Sequence, residues 1–152
     1  MKVQEIMTSD PACCTPDTPL SEVATMMVNS DCGEIPVVQD RVSKKPVGVV
    51  TDRDIVVRTV ARGQNPADMR AGDVMSRPVV TVHPDMRVED CCRILEERQV
   101  RRAPVTDDRG ECCGIVSVAD IAQTAPKKLT AEVVRTVSQR MEFEGPEDQR
   151  AL

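Results

Sequence analysis

One stretch constrains this chain more than any other, because it occurs twice. Gly48-Val49-Val50-Thr51-Asp52-Arg53-Asp54-Ile55 returns as Gly114-Ile115-Val116-Ser117-Val118-Ala119-Asp120-Ile121. Each copy reads Gly, two β-branched residues, a hydroxyl, two variable positions, Asp and Ile. A β-branched pair after Gly predicts the end of a buried strand. A hydroxyl three residues ahead of an acid, before an apolar run, predicts a helix N-terminus. Each copy is therefore a strand running into a helix, and the fold must accommodate two of them.

The flanks repeat as well. Met7-Thr8 aligns with Met75-Ser76, Pro11 with Pro78, Pro16-Asp17 with Pro84-Asp85 and Pro36-Val37 with Pro104-Val105. The period is too long for a solenoid and implies a duplicated fold unit. Each unit opens with an extended segment, Ala12–Thr15 or Val79–Val82. In the first unit a helix follows, capped by Asp17 or Thr18, with Pro19 in its first turn. Leu20, Val23, Ala24, Met27 and Val28 form its buried stripe, and Val88, Cys91, Cys92 and Leu95 are the counterpart. Glu89, Arg93, Glu96 and Glu97 make the solvated face of the second helix. Ile35–Val38 and Ala103–Thr106 are strands, and their prolines suggest strand ends or edges. The helix from Asp54 to Ala61 ends at Gly63 as its C′ glycine, and a last amphipathic helix spans Thr130–Met141. The expected organisation is a first repeat over 1–63, a linker over 64–72, a second repeat over 73–125, and a C-terminal helix and frayed tail over 126–152. The class is α/β (α+β): two small sheets with flanking helices, related by a pseudo-twofold axis.

The repeated motif brings a hydroxyl, backbone N–H groups and a carboxylate to one place. A helix N-terminus suits an anion, and an Asp beside it can accept hydrogen bonds from two sugar hydroxyls. Thr51 and Ser117 could instead be caps and nothing more. Two copies in matching context favour the ligand reading.

Composition narrows the partners. Among 152 residues the single aromatic is Phe143, which argues against base-stacking recognition of nucleic acid. The net charge of −5 argues against a phosphate-backbone binder. No apolar run reaches transmembrane length and the first residues lack a signal-peptide pattern, so a soluble cytoplasmic protein is expected. Six of the seven cysteines (Cys13, Cys14, Cys32, Cys91, Cys92, Cys112 and Cys113) form adjacent pairs, and His83 is the only histidine. That pattern suits core filling better than metal ligation, and no metal is expected.

The ordered set Asp73-Val74-Met75-Ser76-Arg77-Pro78-Val79-Val80-Thr81-Val82, Val100-Arg101-Arg102-Ala103-Pro104-Val105 and Gly-Ile-Val-Ser-x-x-Asp-Ile resembles a CBS domain. Its earlier copy makes the chain resemble a CBS pair, or Bateman module, over about residues 1–123. Thr51–Arg58 with Ala61-Arg62-Gly63 is similar to stand-alone bacterial CBS-pair proteins of the hypoxic-response type. The resemblance implies a cleft between the two domains that binds an adenosyl ligand. AMP is the first choice, with ATP, ADP, NAD or S-adenosylmethionine as alternatives. It also implies that Asp54 and Asp120 hold ribose hydroxyls and that Thr51 and Ser117 reach phosphate, with Arg53 near the Asp54 site. Met75, Ser76, Val79 and Val80 would frame the adenine at the Asp54 site, and Met7, Thr8, Ala12 and Cys13 that at the Asp120 site. Gly33, Glu34 and Ile35, and Arg101, Arg102 and Ala103, would lie between the sites.

Arg101 and Arg102 can hold phosphate in a bidentate way, whereas their counterparts Gly33 and Glu34 cannot, and Glu34 repels an anion. The two sites are therefore expected to differ, with a phosphorylated ligand preferring the Asp120 site. The function expected is a non-catalytic nucleotide-sensing module, homodimeric in this family and acting on an unidentified effector protein. An interaction and dimerisation module that binds no ligand is the alternative, and a thiol-based redox or metal sensor is a third. An enzyme is disfavoured by the absence of any nucleophile–base set or phosphate loop.

Overall fold

The computed structural model describes residues 1–77 and 79–139. In chain order its first elements are β1 (Thr8–Ser9), α1 (Leu20–Ser30), β2 (Glu34–Val38), β3 (Pro46–Thr51), α2 (Asp52–Arg58) and α3 (Ala71–Val74). Then come α4 (Val88–Arg98), β4 (Arg102–Thr106), β5 (Cys112–Ser117), α5 (Val118–Thr124) and α6 (Lys127–Val137). These elements form two compact units that do not follow the order of the sequence. One is Ala12–Val79; the other joins Met1–Pro11 to the described residues from Val80 to Gln139.

Both units use the same pairing. In the first-repeat unit β2 and β3 run antiparallel with Glu34 opposite Thr51 and Val37 opposite Gly48. In the second-repeat unit β4 and β5 pair with Arg102 opposite Ser117 and Val105 opposite Gly114. A short extended segment crosses each glycine. Ser76 pairs with Val49, and β1 pairs with β5, placing Thr8 opposite Ile115 and Ser9 opposite Gly114. Glycine is required there by close approach. A Cβ on Gly48 would sit 2.8 Å from the Ser76 carbonyl oxygen, and one on Gly114 would sit 2.5 Å from the Met7 sulfur.

Pro36 and Pro104 lie inside their strands rather than at the ends. Their carbonyls accept from Cys14 and Val82, on the side away from β3 and β5. The N–H that proline lacks would point to that same side, so the hairpin ladder loses nothing.

The helices bury the expected residues with two exceptions. Val88, Cys91, Cys92 and Leu95 of α4 are all buried, as are Leu20, Val23 and Met27 of α1. Ala24 and Val28 are exposed, because a five-residue stripe read at 3.6 residues per turn extends past the face that this narrow contact covers. Burying an aliphatic side chain of this kind contributes roughly 1.5–3 kcal/mol. The capping expectation for α1 is also corrected. The Thr18 hydroxyl accepts from the Thr15 N–H, and the helix starts with the Leu20 N–H donating to the Met69 carbonyl. Residues 64–72 are not featureless: Pro66–Asp68 forms a 3-10 turn capped by Asn65. Helix α2 starts at Asp52 and stops at Arg58, short of the expected Ala61, and Gly63 at φ 72° ends the separate 3-10 turn Val60–Arg62. The last helix begins at Lys127, three residues early, and Met141 lies outside the described residues.

Candidate functional site

The repeated motif builds the same local device in both units. In each, the hydroxyl and the aspartate three residues later form a capping box. The Thr51 hydroxyl accepts from the Asp54 N–H at 3.0 Å, and the Asp54 carboxylate accepts from the Thr51 N–H at 3.0 Å. Ser117 and Asp120 do the same at 3.2 and 2.8 Å. Both hydroxyls are thus helix caps, and one carboxylate oxygen of each aspartate is committed to the cap. The sites differ in everything added to this device.

In the first-repeat unit the remaining groups are satisfied internally. The Ser76 hydroxyl donates to both Asp54 oxygens at 3.1 and 3.2 Å. Arg58 lies 3.9 Å from Asp54 Oδ1, with its guanidinium also donating to the Val74 and Met75 carbonyls at 3.0 Å. The first three amides of α2 all have acceptors: Asp52 N–H on the Gly33 carbonyl, Arg53 N–H on the Asp52 carboxylate and Asp54 N–H on Thr51. Glu34, opposite Thr51, is buried.

In the second-repeat unit two of the corresponding groups are open. Asp120 has no partner for Oδ1 among the described residues, because Thr8, the counterpart of Ser76, makes no side-chain bond to it. Val118 N–H donates to the Arg101 carbonyl at 2.9 Å, but the Ala119 N–H has no acceptor among the described residues. Arg102 stands opposite Ser117 where the other unit has Glu34. Neither Arg101 nor Arg102 has a side-chain hydrogen bond or ion pair among the described residues. A cavity of about 210 Å³ opens beside these two arginines and the start of α5, and α6 forms its far wall.

Of the other expected site residues, Met75 and Ser76 share a unit with Asp54, while Ile35 and Ala103 are buried strand residues. Met7 and Thr8 share a unit with Asp120. Val79 falls in the Asp54 unit and Val80 in the other; Ala12 and Cys13 fall in the Asp54 unit. Arg53 is exposed on α2. The α6 contribution was not foreseen, because the repeat gave it no counterpart in the first half.

The cysteines are free thiols. Burial pushes Cys14 up to about 11, Cys91 up to about 12 and Cys92 up to about 11, and it raises Cys113 as well. These four stay protonated at neutral pH, which suits a core role over a reactive one.

Residues 3–59 and 71–126 match the model of the CBS domain. Hypoxic response protein 1 of Mycobacterium tuberculosis is 30% identical over 138 residues, covering 91% of this chain and 94% of that protein. An uncharacterized protein of Methanopyrus kandleri is 34% identical over 126 residues; the match covers 83% of this chain and 63% of that protein. The crystal structure of Hypoxic Response Protein I with two coordinated zinc ions superposes with a TM-score of 0.74, at 31% identity, covering 83% of this chain and 100% of that one. The CBS domain pair of protein MJ0100, solved with 5′-methylthioadenosine and S-adenosyl-L-methionine, superposes with a TM-score of 0.70 at 26% identity, covering 81% and 94%. The expectation of no metal is corrected by the first of these structures, since a protein of this fold and similarity carries zinc. Here, His83 already has Nε2 on Asp108 at 2.7 Å and Nδ1 accepting from the Asp85 N–H. Among the described residues no group of three His, Cys, Asp or Glu side chains is placed to hold a metal. No described helix is long and apolar enough to cross a membrane. The chain belongs to the CBS domain family, with two copies in tandem.

Proposed function

We propose that this tandem CBS-domain protein is a non-catalytic regulatory module that binds an adenosine-containing ligand, and that its second-repeat unit holds the better site for a phosphorylated one. The observation that carries the reading is that, among the described residues, Asp120 Oδ1 is open in a unit that also presents two unpaired arginines. A free carboxylate oxygen accepts a ribose hydroxyl without breaking a bond. Asp54 would first have to release Ser76. MJ0100 supports the ligand class, being a CBS pair solved with two adenosyl compounds. Signalling then requires that the ligand bind one arrangement of the protein better than another. Association of two copies belongs to the same reading. It is supported by α2, which buries none of its residues, and by two exposed valines, Val56 on that helix and Val60 in the turn after it, at 57% and 60% exposure.

Isothermal titration with adenosine, AMP, ATP and S-adenosylmethionine tests this, using the wild type, Asp120→Ala and Asp54→Ala. Saturable binding lost in Asp120→Ala and retained in Asp54→Ala is the expected result. No heat with any of the four ligands leaves the ligand-free interaction module as the reading.

A further inference from the structure

The matched CBS segment ends at residue 126, and helix α6 begins at Lys127. This helix is no loose appendage. Val133 and Val137 are buried, and it packs on both α4 and α5. Its next face, Val134 and Ser138 with the edge of Val137, lines the cavity beside Arg101 and Arg102. Val134 is 41% exposed and serves no core. The cavity therefore has a cationic side supplied by the repeat and an apolar side with one hydroxyl supplied by α6. Two guanidinium groups unpaired among the described residues and lining a half-open cavity select an anionic group, and arginine suits the oxygen array of a phosphoryl group.

Resting on the reading of an adenosyl ligand, we infer that α6 is a working part of the second-repeat site: it closes the cavity over Arg101 and Arg102 and forms the wall against which the phosphoryl end of the ligand lies. Occupancy is thereby felt directly by the C-terminal helix. The first repeat has no such helix after α2, where the chain makes a 3-10 turn and Gly63 instead.

A charge placed on the wall tests this through its sign. Position 134 is exposed enough to accept either charge without disturbing the core. Val134→Asp should weaken ATP binding about threefold to tenfold, and Val134→Lys should strengthen it by a similar factor, from one charge acting across a partly solvated cavity. Adenosine, which lacks the phosphates, should bind both variants as it binds the wild type. Opposite shifts confined to ATP support the inference, since a change in fold would move both variants and both ligands the same way. ATP affinity unchanged in both variants overturns it. So does wild-type protein that binds adenosine but gains nothing from phosphate, which leaves the adenosyl reading intact. Wild-type protein that binds neither overturns both.

Discussion

The two repeats present the same device to different surroundings. Around Asp54 the protein supplies its own ligands: Ser76 bonds the carboxylate, Arg58 sits beside it, and the α2 amides are all taken. Around Asp120 the carboxylate Oδ1 and the Ala119 N–H are unfilled among the described residues, and the residue facing the cap is Arg102 instead of Glu34. A duplicated motif therefore does not mean a duplicated site. The capping box is a local structure that either copy forms from four consecutive residues. Whether the box is also a binding site depends on what the rest of the unit leaves unsatisfied.

The cores test this contrast with the largest effect. Leu95 is fully buried while its counterpart Met27 retains 9% exposure. Leu95→Ala should cost about 3–5 kcal/mol and Met27→Ala roughly 2 kcal/mol, by analogy with cavity-forming substitutions, measured by chemical denaturation. Equal losses would mean that the two cores are packed alike.

The glycines come next. Gly48→Ala should cost about 1–3 kcal/mol, because the added Cβ meets the Ser76 backbone carbonyl. Gly114→Ala should cost less, since the nearest atom is the flexible Met7 thioether, which can swing aside. The reverse order in thermal denaturation would show that β1 is held more tightly than the Ser76 segment.

Charge at the strand start sharpens the comparison of sites. Arg102→Gln should weaken ATP at least about tenfold, the value of one charge-assisted hydrogen-bond pair. Glu34→Gln should let a second, weaker ATP bind. Titration stoichiometry reads both, and an unchanged affinity in Arg102→Gln would remove the distinction between the units.

The smallest effect is alkaline. Burial raises Cys14, Cys91 and Cys92 above their ordinary value of 9.0, to about 11, 12 and 11. The unfolded chain then ionises first, so these thiols hold their full stability below pH 9 and lose it as pH rises towards 11–12. The melting temperature should fall above pH 9, and Cys91→Ala should flatten that slope. A slope unchanged in Cys91→Ala would assign the alkaline loss to other groups.

Much of this protein was legible because its determinants are neighbours in sequence. The strand–cap–helix motif, the α4 stripe and the left-handed Gly63 each depend on side chains within a few residues of one another. Resemblance to a family, and not periodicity, linked Met7 and Thr8 to the unit of Asp120, since nothing local says which repeat the first eleven residues will cross. The sequence by itself determined that there are two strand–helix units, each with a capping box and an apolar core. Only the tertiary structure decided that Ser76 would occupy Asp54 while Thr8 leaves Asp120 open, and that α6 would wall the cavity beside Arg101 and Arg102. Those outcomes depend on contacts between segments distant along the chain, where a shift of an ångström makes or breaks a hydrogen bond and no local pattern records the result.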